Sequence, residues 1–137
     1  MGRILAVDYG KKRCGLAVTD PLRIIANPLE TVPSDQLMEY IKKYLSTESV
    51  DIIVFGMPAD LQNRDTHITQ EVRDVIMTYR KTFPGVRVES IDERFTSKIA
   101  FDSMLAGGLN KKKRAEKERL DRISATLILQ SYLEQNS

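Results

Sequence analysis

Three observations predict an α/β fold built on one mixed sheet. Apolar runs of strand length at 4–9, 14–19 and 24–32 follow one another with only short turns between them, which implies an antiparallel start. Two further runs, 51–55 and 86–91, then alternate with stretches of helical periodicity, which implies parallel crossover units. The expected order is β-β-β-α-β-α-β-α-α. A chain of 137 residues is one domain by length. With no internal repeat or low-complexity linker, residues 1–137 are expected to form a single domain.

The first run, Ile4-Leu5-Ala6-Val7, ends in Asp8-Tyr9-Gly10. The basic turn Gly10-Lys11-Lys12-Arg13 leads into Cys14 to Thr19, suggesting a hairpin. Asp20-Pro21 marks another turn. Ile24 to Val32 is the third strand, with Pro28 pushing part of it to an edge or a bulge. Ser34 is a candidate N-cap for a helix whose face carries Leu37, Met38, Ile41, Tyr44 and Leu45. Ile52-Ile53-Val54-Phe55 is a continuous apolar strand stopped at Gly56-Met57-Pro58.

Residues 59–65 are polar and loop-like. Asp65 or Thr66 can cap a helix with the stripe Ile68, Val72, Val75, Ile76, Tyr79 and Phe83, ended by Pro84-Gly85. Val86 to Ile91 is the last strand. Thr96 can cap a helix containing Ile99, Ala100, Met104 and Leu105, which Gly107-Gly108 terminates. A final helix is expected from about Glu116 to Glu134.

Composition bounds the function classes. Apolar residues make up 42% and charged residues 29% of the chain, as in soluble globular domains. No apolar run approaches the roughly 20 residues of a membrane span. No secretory leader pattern is present, and the lone Cys14 cannot form an internal disulfide; a cytoplasmic location is the expectation. The net charge of +2 hides a local imbalance. Residues 111–119 hold six basic and two acidic side chains, or +4, which leaves −2 for the rest. A solvated helix start would account for this stretch; so would phosphate contacts to a nucleic acid.

Three carboxylates carry the chemistry. Asp8 closes the first strand and should share a face with Ile4 and Ala6. Asp92 and Glu93 lie at a strand-to-helix junction, followed by Arg94, Phe95 and Thr96. Alternation would put Asp92 and Glu93 on opposite faces; the reach of the longer side chain favours Glu93, and the choice stays open. Asp121 is followed on its own helical face by the small residues Ser124 and Ala125, which let the helix approach the sheet near Asp8. Each acid has a plain alternative: turn former for Asp8, ion pair with Arg94 for Asp92, and helix-dipole partner for Asp121. Together, carboxylates at the ends of buried elements need a cation. A hard divalent ion with oxygen ligands supplies it, and that arrangement suits phosphodiester cleavage. His67 is the only histidine, so neither a zinc cluster nor a Ser-His-Asp triad is indicated. No G-x-x-x-x-G-K-[ST] loop is present.

The segments Ile4 to Gly10, Gly15-Leu16-Ala17-Val18, Phe55-Gly56-Met57-Pro58, Asp92-Glu93-Arg94-Phe95-Thr96-Ser97 and Asp121-Arg122-Ile123-Ser124-Ala125 resemble, in order, the YqgF family, also called RuvX. The resemblance implies a ribonuclease-H-like fold with a five-stranded sheet in the order 3-2-1-4-5, flanked by helices. It also implies a divalent-metal nuclease of the bacterial cytoplasm, associated with maturation of the 5′ end of pre-16S ribosomal RNA and earlier described as a Holliday junction resolvase. On this resemblance Asp8, Glu93 and Asp121 are the catalytic and metal-binding set for Mg²⁺ or Mn²⁺. Arg13, Arg94, Lys111, Lys112, Lys113 and Arg114 are the expected phosphate-holding residues. Many members have Thr at the position of Lys11 and Leu at that of Phe95. The partner would be pre-rRNA or branched DNA, and the protein a monomer or weak homodimer. Two other classes fit parts of the pattern. Asp8-x-Gly10 also resembles the phosphate loop of actin-like and sugar-kinase ATPases, which need a second lobe that 137 residues do not supply. A non-catalytic RNA-binding assembly factor could keep the acids for stability.

Overall fold

In the computed structural model, the residues described are 2–57, 67–92 and 114–136, with side chains omitted for 67, 68 and 114–117. Strand β1 (Arg3–Asp8) is the centre of the sheet because its residues are apolar on both sides: Ile4, Leu5, Ala6 and Val7 are all buried. A continuous apolar run is what a strand covered on both faces requires. Strands β2 (Arg13–Thr19) and β3 (Ala26–Pro33) continue outward from it as antiparallel neighbours. On the other side, β4 (Val50–Met57) and β5 (Arg87–Asp92) pair in parallel. The sheet order is β3-β2-β1-β4-β5, as the family resemblance implies. Pro28 lies on the edge strand, where the register shifts between Leu16 and Ala17; a missing N–H is tolerated there.

Helix α1 (Leu37–Thr47) and helix α2 (His67–Thr82) cover one face. They bury Leu37, Ile41, Val72, Ile76 and Tyr79 against Leu5, Val7, Leu16, Ile53 and Phe55. The long helix α3 (Arg114–Gln135) covers the other. There Ala125, Ile128, Leu129 and Tyr132 meet Ile4, Ala6, Ala17, Ile52, Val54 and Ile91.

Two local expectations change. Ser34 does not cap α1: it opens a 3₁₀ turn, Ser34–Gln36, and its hydroxyl donates to the Gly10 carbonyl at 2.6 Å. That bond ties the β1–β2 turn to the end of β3. Helix α3 begins at Arg114, so Asp121 lies two turns inside it and cannot be a first-turn partner of the helix dipole. The expected caps Asp65 and Thr66, and the expected helix at 96–105, lie outside the described residues.

The β2–β3 turn is held by Asp20, whose carboxylate accepts the N–H groups of Leu22, Ile24 and Ile25 at 3.2, 2.8 and 2.8 Å. Arg23 within it has φ 60°, a conformation that costs a non-glycine residue energy. Its guanidinium donates to the Gly2 carbonyl and to Asp51.

Candidate functional site

The parallel strands β1, β4 and β5 all end on one edge of the sheet, and Asp8 is the last residue of β1. Alternation from Ile4 and Ala6 puts the half-buried Asp8 on the α3 face. In the β1–β2 ladder Asp8 is opposite Gly15, and directly opposed residues share a face with Cβ atoms about 5 Å apart. The space where a Gly15 side chain would stand is taken by the backbone of α3: an added Cβ would be 2.0 Å from the Asp121 carbonyl oxygen. Gly15 therefore lets the helix touch the sheet, and the Asp8–Gly15 pair is the place where it touches. Ser124 and Ala125, both buried, extend the close contact. Asp8 and Asp121 are thereby brought to one locus.

Arg13 completes this locus. Two residues before Gly15 on the same face, it donates from Nε to Oδ2 of Asp121. Both partners are partly exposed, at 37% and 24%. Beside them lies a groove of about 220 Å³ lined by Lys12, Arg13, Thr31, Val32, Pro33 and Glu118. Two of its lining residues are tied together, the Thr31 hydroxyl donating to the Glu118 carbonyl at 2.6 Å. A larger cavity of about 520 Å³ is at the opposite end of the strands, lined in part by Ile4, Ile52 and Arg87, and so is remote from the carboxylates.

Behind the locus, on the other face, Cys14 is buried with Sγ 3.5 Å from Ser34 Oγ. Burial pushes its thiol up; the Ser34 hydroxyl and the Gly10 backbone oppose that, while the charges of Asp8 and Asp121 add to it. A thiol held protonated in this way is a packing group and not a nucleophile. Tyr9, next to Asp8, is also pushed up, first by burial and then by Cys14 and Glu71.

Alternation separates Asp92 from Asp8. Val88 belongs to the core on the α2 side of the sheet and Ile91 to the core on the α3 side, so alternation puts Asp92 on the face of Val88, opposite to that of Asp8. Glu93, Arg94, Lys111, Lys112 and Lys113 lie outside the described residues, as does the side chain of Arg114. Among the described residues no group of three His, Cys, Asp or Glu side chains converges. Asp8 and Asp121, on elements that touch at Gly15, are all-oxygen donors of the kind a hard divalent cation takes, and Asp121 is paired with Arg13.

Sequence reasoning does not reach Gly15 or the Arg13–Asp121 pair. A lone glycine inside the apolar run Cys14 to Val18 is the available signal for the first, since such a residue often marks close backbone approach.

The family described as RuvX, Holliday junction resolvase, matches residues 2–135. A protein of Phocaeicola vulgatus named "Putative pre-16S rRNA nuclease" is 52% identical over 98% of this chain and 96% of its own length. One of the same name from Amoebophilus asiaticus is 46% identical over 97% and 94%. Among solved structures, YeaZ from Pseudomonas aeruginosa aligns with a TM-score of 0.45 at 16% identity, over 75% of this chain and 49% of that one.

Proposed function

The chain belongs to the RuvX family, and from that premise we propose that it is a divalent-metal-dependent nuclease that hydrolyses phosphodiester bonds, with the 5′ end of pre-16S ribosomal RNA as substrate. The observation that supports the chemistry is that the Asp121 backbone lies on Gly15, the ladder partner of Asp8. The relatives' names carry the choice of RNA.

Asp8, Asp121 and Glu93 would hold Mg²⁺ or Mn²⁺. The position of Asp92 on the α1/α2 face favours Glu93 as the third carboxylate. The bound ions would supply Lewis acidity at the phosphate and lower the pKa of the attacking water. The protein's own part is positioning. Asp8 is fixed by the strand ladder and Asp121 by the helix backbone lying on Gly15. Arg13, Arg94 and Lys111 to Arg114 would grip flanking phosphates, guanidinium groups doing so through paired donors.

The alternative substrate within the same chemistry is a four-way DNA junction, as the family description states. A cleavage assay with Mg²⁺ or Mn²⁺ on the RNA leader and on the junction, run beside Asp8→Asn, decides between them. Cleavage of the leader alone is expected. Paired symmetric nicks in the junction alone would make the protein a resolvase, and such cutting favours a dimer. Metal-dependent binding with no cut would reassign it to a non-catalytic RNA-binding factor.

A further inference from the structure

We propose that Arg13 is an exchangeable counter-cation: it neutralises Asp121 until a divalent ion binds there, and then turns to a phosphate of the nucleic-acid strand lying in the adjoining groove. This rests on the nuclease reading above and adds an order of events to it.

Four features support the exchange. Arg13 and Asp121 are bonded directly through Nε and Oδ2. Both side chains are partly open to solvent, where an ion pair is weaker than a fully buried one, so a divalent cation has access to Asp121 and can compete with Arg13 for it. The Arg13 backbone is held, because it is the first residue of β2 and pairs with Pro33 of β3; only the side chain needs to swing. The groove of about 220 Å³ that Arg13 lines is open beside it, and Lys12 lines it too. A guanidinium fits this double duty because one planar fork matches carboxylate and phosphate alike. An ammonium at the same position would keep the charge and lose the fork.

One consequence is coupling. A divalent ion that frees Arg13 raises affinity for the strand, and by reciprocity the strand raises affinity for the ion. Another is that Arg13 opposes metal binding when no nucleic acid is present. The test is calorimetric titration of the folded protein with MnCl₂ alone at fixed ionic strength. Arg13→Gln is expected to bind Mn²⁺ about twofold to fivefold more tightly than the unmodified chain, the equilibrium worth of an exposed pair. Arg13→Lys is expected to keep the original Mn²⁺ affinity while binding an uncleavable oligonucleotide more weakly. A second readout uses the unmodified chain. The Arg13 Nε–H resonance, assigned by its absence in Arg13→Lys, should leave its carboxylate-bonded position as Mg²⁺ is added. Equal or weaker Mn²⁺ binding by Arg13→Gln, or an Nε–H resonance unmoved at saturating Mg²⁺, would overturn the exchange and make Arg13 a fixed support for Asp121. Failure of the unmodified, folded chain to take up any Mn²⁺ or Mg²⁺ would overturn the nuclease reading itself, and the exchange with it.

Discussion

A side-chain carbon on Gly15 would lie 2.0 Å from the carbonyl oxygen of Asp121, and 2.3 Å from its carbonyl carbon. The obstacle is backbone, which cannot rotate away as a flexible side chain could.

Gly15→Ala should therefore force α3 off the sheet. Overpacking of this kind costs about 1–3 kcal/mol and occasionally more, and here the upper end is expected. Cleavage should fall too, because Asp121 moves with the helix. Urea denaturation measures the first effect and single-turnover cleavage the second; a variant as stable and as active as the original would remove Gly15 from the design of the site.

Asp8→Asn and Asp92→Asn should part company. Asp8 is on the α3 face, so its neutralisation should cost more than the roughly 10–100-fold that follows removal of a side chain that only supports a metal ligand. Alternation puts Asp92 on the opposite face of the sheet, and its neutralisation should leave cleavage within about threefold, as for a position away from the site. Equal losses in the two would show that Asp92 is a ligand after all.

Charge reversal at Lys111, Lys112, Lys113 and Arg114 should weaken nucleic-acid binding more than it slows the bound complex. For a single strand, the log–log salt slope should become shallower by about 0.7 for each phosphate no longer neutralised. Binding measured over a series of KCl concentrations gives the slope, and an unaltered slope would free these four residues from any phosphate role.

Tyr79 is buried to 3% exposure, and its hydroxyl finds no hydrogen-bond partner among the described residues. Burial pushes its ionisation far up, with Cys14 and Tyr9 adding to the effect. Its ring meets Phe55 and Phe83 edge-on, and phenylalanine keeps that packing. Tyr79→Phe should be neutral or stabilising by about 1 kcal/mol, since an unmet buried hydroxyl is a cost. A clear drop in melting temperature would mean that the hydroxyl is satisfied.

Asp20 gives a pH prediction. Its carboxyl is held below the ordinary 3.8, first by the Ile25 amide; desolvation opposes this as the next effect, and the Ile24, Asp20 and Leu22 amides lower it further. A depressed folded value means that the stabilisation of the turn is complete above pH 3.8 and is lost as pH falls through the lower folded value. Hydrogen exchange at Ile24 and Ile25, corrected for intrinsic rates, should show protection declining on acidification in the original chain. In Asp20→Asn, which keeps an acceptor and has no proton to gain, the decline should be absent.

Much of the fold is legible in the sequence because its signals are local. Ile4 to Val7 reads as a strand covered on both sides because it is one, and the small residues Ser124 and Ala125 announce a helix pressed against a sheet. What escapes depends on pairs far apart in sequence. Ser34 has the chemistry of an N-cap, yet its hydroxyl serves Gly10, 24 residues earlier. Arg13 reads as a phosphate ligand, and nothing near it in sequence announces Asp121. The choice between Asp92 and Glu93 needs the identity of the two faces, which alternation alone does not label. With Val88 and Ile91 in the cores on opposite faces of the sheet, alternation assigns Asp92 to the face opposite Asp8.

The bond between Arg13 and Asp121 spans 108 positions, and it closes a loop that includes most of the described elements. Closing a long loop costs entropy that is recovered only when the interactions it brings together form. The acidic locus is therefore a product of completed folding. A chain with the hairpin formed and α3 undocked would have the sheet's first strands and Asp121 away from them, so the onset of cleavage during refolding would time the docking of a single helix.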